Sequence, residues 1–161
     1  MARWQFELDP IPASAASIDG MPAIHLGPEV RAAIPLGLSP KRRAELVEAL
    51  GNILPVVETW SADLRIWGNT RESDVQLYHD EDMGIALKIR IDAKTFTTNL
   101  VEALCDLATA FDWVFLTDRG AVLQPQPEIV LRALLNSPAR RFVENPGNEA
   151  PQATGRAGKP D

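Results

Sequence analysis

Residues 74–92, "DVQLYHDEDMGIALKIRID", set the architecture of this chain. Val75 and Leu77 alternate with Gln76 and Tyr78, and Ile85, Leu87, Ile89 and Ile91 alternate with Ala86, Lys88, Arg90 and Asp92. A period of two marks strands buried on one face only. The intervening "DEDMG" is too short for a crossover, so the two strands are antiparallel neighbours. Upstream, "ADLRIW" (62–67) reads as a third strand, joined through the short link "GNTRES". The three form a meander.

Helical periods flank it. "LSPKRRAELVEALGNIL" opens on Ser39 as N-cap and Pro40 at the first helical position, where the missing N–H costs nothing. Leu46, Val47, Leu50, Ile53 and Leu54 form its apolar stripe, and Pro55 stops it. A second helix is predicted over about 95–111, where Phe96, Leu100, Leu104, Leu107 and Phe111 recur at helical spacing, with Thr95 or Asp92 as cap. "WVFLTD" and "AVLQP" read as a second hairpin, followed by a helix over about 127–137. "RWQFEL" (3–8) is a short strand. Residues 9–37 read as a long ordered arm with one helical turn near "PEVRAA". The predicted organisation is therefore an N-terminal strand and arm (1–37), one α+β domain (38–144) and a Pro- and Gly-rich disordered tail (145–161). The fold class is α+β, a largely antiparallel sheet with helices packed on one face.

With 161 residues the chain can bury a full core without metal or disulfide. A net charge of −6 argues against nucleic acid as partner and suits a basic one. Cys105 is the only cysteine, which fits a reducing compartment and reads as a small buried hydrophobe. The N-terminus lacks the apolar stretch of a signal peptide, and no run approaches the ~18 apolar residues that span a bilayer. The expectation is a cytoplasmic protein without membrane contact.

If the meander pairs in register, Arg65, Trp67, Gln76, Tyr78, Lys88, Arg90 and Asp92 share the face opposite the helices. Aromatic residues among cations compose a recognition surface. The plain alternative is a solvated sheet face, or one covered by the protein's own arm. No nucleophile elbow, dinucleotide fingerprint or zinc-protease motif is present. "HDED" (79–82) is a solvated turn before it is a metal site, and no cofactor is implied. "ARRF" (139–142) reads as a C-terminal lock in which Phe142 packs.

The run from "LSPKRRAELVEAL" through "IALKIRIDAK" and "FDWVFLTDRGAVLQP" to "SPARRFVENP" resembles a group of small uncharacterised bacterial α+β proteins. The shared pattern is Arg90 and Asp92 at a strand end, and a closing Ser137, Ala139, Arg141, Phe142, Val143 and Pro146. The size and acidity are also similar to immunity proteins of bacterial toxin systems, which act by occluding a partner. That resemblance implies a protein that needs a surface and no active site. The absence of a catalytic motif and the mixed sheet face point to a non-enzymatic protein-binding module, with binding residues Arg65, Trp67, Tyr78, Lys88, Arg90 and Asp92 and either a foreign protein or a second copy as partner. Two alternatives stand beside it. One is an enzyme using carboxylates around Asp92 with Lys88 or Arg90. The other is a nucleic-acid module stacking bases on Trp67 and Tyr78.

Overall fold

The computed structural model of the chain describes residues 2–31, 34–80 and 84–146. Strand β1 (Gln5–Pro12) leads through a single 3-10 turn into the arm, which holds β2 (Ser17–Ile18), β3 (Met21–Pro22) and α1 (Pro28–Arg31). Helix α2 (Pro40–Ile53) is followed by β4 (Val56–Val57), β5 (Leu64–Gly68), β6 (Asp74–Asp80) and β7 (Gly84–Asp92). Then come α3 (Thr98–Ala110), β8 (Trp113–Thr117), β9 (Val122–Leu123), α4 (Pro127–Leu135) and α5 (Pro138–Glu144). The class is the expected one: seven antiparallel strands in the order β4-β5-β6-β7-β1-β8-β9, with the β2–β3 hairpin apart. The tail beyond residue 146 and Glu81 and Asp82 of the "HDED" turn lie outside the described residues.

Ser39 caps α2 as predicted, accepting a hydrogen bond from the Arg42 N–H. Ser137 caps α5 in the same way through the Arg140 N–H, so "ARRF" belongs to a further helix. Helix α3 starts later than predicted, because Thr97 takes the cap and Asp92 serves the turn before it.

All the long helices lie on one face. Leu46, Leu50, Val101, Leu104, Val130 and Leu134 pack there against Leu8, Val75, Ile89, Ile91 and Phe115. Cys105 is among them, and burial pushes its thiol up to about 11, far from a reactive thiolate. On the opposite face, Ile11, Val114 and Leu116 form a smaller core under Ala16, Ala23 and Leu26 of the arm. The arm closes one sheet edge: Val122 N–H donates to Ile24 O (2.9 Å) and Leu26 N–H to Gly120 O (2.8 Å).

β1 is an interior strand between β7 and β8, and it runs on through Pro12, past the strand expected at 3–8. Its two pairings are staggered. It meets β7 from Gln5 to Leu8 and β8 from Leu8 to Pro12. Ala93 N–H donates to Trp4 O, and Ala13 N–H donates to Asp112 O. By strand alternation, even-numbered residues of β1 therefore turn their backbone toward β7. Pro10 and Pro12 fall on that side with no N–H to offer, and pairing with β7 ends at Leu8. The sheet opens between β1 and β7 at that point.

The β5–β6 hairpin is set by Gly68, at φ +102°, whose Cβ position would collide with the Ser73 carbonyl oxygen. Gly68→Ala is expected to cost about 1–3 kcal/mol, read as a lower urea midpoint.

Candidate functional site

The pairing register corrects the expected face. Arg65 pairs with Leu77 and Trp67 with Val75, so both point to the helix side. Trp67 is 2% exposed in the main core. Leu64 and Ile66 take the opposite face beside Tyr78 and Gln76. One residue of register exchanges the two sets. Burying the large indole outweighs burying Leu64, since an aromatic ring of this size contributes most to core area. Trp67 and Tyr78 therefore form no joint stacking platform.

Tyr78, Lys88, Arg90 and Asp92 do share the other face, joined by Gln5, Glu7 and Asp9 of β1 and by Asp74 and Gln76 of β6. The β1 carboxylates were missed although Glu7 and Asp9 alternate with Phe6 and Leu8; the signal lacked only the knowledge that β1 adjoins β7.

At one end, Asp92 is structural. Its Oδ1 accepts the Lys94 N–H (2.8 Å), its Oδ2 accepts the Thr95 hydroxyl (2.8 Å), and its own N–H donates to Ser73 Oγ (2.9 Å). Gln5 holds the neighbouring loop by donating to Thr70 O and Glu72 O. In the middle, Asp74 is fully buried and takes both a 2.8 Å bond from Arg90 Nε and a second from Arg90 Nη2. Hydrogen bonding to Asp74 raises the Arg90 guanidinium further above its ordinary value. Gln76 donates to Asp74 (3.0 Å) and accepts from the Tyr78 hydroxyl. Burial raises the Tyr78 phenol.

At the other end, where β1 leaves β7, a cleft of about 500 Å³ opens. Asp9, Tyr78, Lys88 and Asp118 line it, with Ile34 and Leu36 of the arm as apolar wall. Lys88 Nζ lies 3.1 Å from both Glu7 Oε1 and Asp9 Oδ1. Burial alone would lower the Lys88 ammonium, but Asp9 and Glu7 more than offset it and the net shift is upward. Burial pushes the Asp9 carboxyl above its ordinary 3.8; Lys88 pulls it back, and Glu7 and Asp118 add to the rise. Two carboxylates, of Glu7 and Asp9, thus meet one ammonium at the cleft.

A raised carboxyl favours folding most when protonated. Its contribution is fully present below 3.8 and is lost as pH rises through the higher folded value. Asp9→Asn is therefore expected to gain stability relative to wild type as pH rises from below 3.8 to neutrality, measured by thermal unfolding of the two proteins side by side.

His25 Nε2–H donates to Arg119 O (2.9 Å), tying the arm to the β8–β9 turn. Among the described residues no group of three or more His, Cys, Asp or Glu could hold a metal ion, and no helix is long and apolar enough to cross a membrane. No protein-family model, curated protein or solved structure matches this chain.

Proposed function

We propose that this chain is a non-enzymatic module that binds another protein, with its site in the cleft between β1 and β7, and that the docking segment is basic with apolar neighbours. The observation that carries this reading is the charge at the cleft: the two carboxylates of Glu7 and Asp9 hold the one ammonium of Lys88, beside an apolar wall. A lysine or arginine side chain entering there would meet a net negative field inside a concave, partly desolvated surface. Elsewhere the arm exposes further apolar area, with Ile18, Met21 and Ile24 55%, 68% and 85% exposed. The total charge of −6 steers the same class of partner. An inhibitor of immunity type, which works by occluding a basic site, is the specific form of this reading.

The polar groups of the face are engaged in ways that favour binding over catalysis. Arg90 is committed to Asp74, Lys88 to two carboxylates, and Asp92 to the turn before α3. That engagement supports the binding reading over carboxylate chemistry centred on Asp92.

Affinity capture from native lysate tests the proposal. Wild type is compared with a Glu7→Gln, Asp9→Lys double variant, both shown to be folded. A basic protein retained by wild type and lost by the variant is the expected result. Identical captures, or none, would remove the proposal.

A further inference from the structure

A second cleft, of about 450 Å³, lies on the helix side between α2 and the starts of β5 and β7. Its character is opposite to the first. Arg43 from α2 and Arg65 from β5 line it, with Leu38, Val47 and Ile85 as half-buried apolar walls. Arg65 reaches it because of the register that sends β5's odd-numbered residues to the helix side.

Two guanidiniums meeting at one cleft repel each other, and in a chain of net charge −6 carboxylates to pair with them are plentiful. The neighbouring Arg42 has such relief: it is ion-paired to Glu45, donates to Ala110 O (3.0 Å) and stacks over Phe111. Among the described residues, the guanidiniums of Arg43 and Arg65 have no hydrogen-bonded or ion-paired partner. Arg43 also sits in the first turn of α2, where the helix dipole adds to the positive field.

We infer that this cleft binds a small amphiphilic carboxylate. The planar head takes paired N–H donors from Arg43 and Arg65, and the apolar body covers Leu38, Val47 and Ile85. Guanidinium suits a carboxylate because its parallel donors match the two oxygens. The apolar walls select for an alkyl or aryl body over a bare anion, since covering them removes apolar area from water. The site is independent of the β1–β7 cleft, so either can fail without the other.

The probe is octanoate, titrated into isotopically labelled full-length protein and followed by two-dimensional NMR, with acetate, inorganic phosphate and octylammonium as comparison ligands. Saturable shifts for octanoate, clustered at residues 38–47, 65 and 85, are expected. Acetate should bind at least about tenfold more weakly through loss of the apolar contact. Arg43→Gln with Arg65→Gln should weaken octanoate by about tenfold or more, while the Glu7→Gln, Asp9→Lys variant binds it as wild type does. Three results would overturn the inference: no saturable shifts, equal binding of octanoate and octylammonium or phosphate, or octanoate binding that ignores both arginine substitutions. Both arginines are solvent-accessible, so their replacement leaves the fold in place.

Discussion

Trp67→Ala is expected to cost about 3–5 kcal/mol of folding stability. The indole is 2% exposed and packs in the core formed by α2, α3 and the sheet. Its removal leaves a cavity that a sheet pinned by pairing on both sides of β5 cannot collapse into. Trp60→Ala is the internal control. Trp60 is 92% exposed, so its loss should change stability by no more than about 0.5 kcal/mol. Urea unfolding of the two variants separates the cases: a large fall in midpoint for the first and almost none for the second. Equal, small effects would mean that Trp67 faces solvent and that β5 is paired one residue out of register.

Arg90→Ala is expected to cost a similar amount, about 3–5 kcal/mol, through a different mechanism. Asp74 is fully buried, and its two oxygens are bound by the Arg90 guanidinium with help from Gln76. Removing the arginine leaves a carboxylate in the sheet with one amide donor. The reverse change should cost less, because the Arg90 side chain is 17% exposed and its guanidinium can turn toward water. Replacing both together by apolar residues of similar volume should recover most of the loss, as burying an ion pair gains little over a well-packed apolar contact. Equilibrium unfolding of the two single variants and the double variant measures this. An Arg90→Ala cost below about 1 kcal/mol would mean that the pair is solvated and does not organise the face.

The α+β class, the β5–β6–β7 meander and the Ser39-Pro40 helix start were legible because each rests on local chemistry: a period of two, short links and a cap. The position of β1 was not. Its partners are distant in sequence, and Pro10 and Pro12 made its second half look like a loop, when they only remove donors on the β7 side. Without β1 beside β7, Glu7 and Asp9 had no reason to join Lys88. The face of β5 was misread because "LRIW" carries apolar residues at both parities, Leu64 and Ile66 against Trp67, and periodicity alone cannot choose between them. The helix at Pro138 was readable in principle, since Ser137-Pro138 repeats the signature of Ser39-Pro40. Of the expected binding residues, Tyr78 and Lys88 lie at the cleft, Arg90 and Asp92 brace the same face, and Arg65 and Trp67 lie on the other side.

The most direct measurement is site-specific photocrosslinking in native lysate, with a benzophenone amino acid placed at Tyr78 in the cleft or at Trp60, which is outside the cleft lining. A discrete adduct to a basic protein from position 78, competed away by untagged wild type and abolished by Asp9→Lys, is expected. Absence of any adduct at 78, or an adduct formed only from position 60, would contradict a binding role for the β1–β7 cleft.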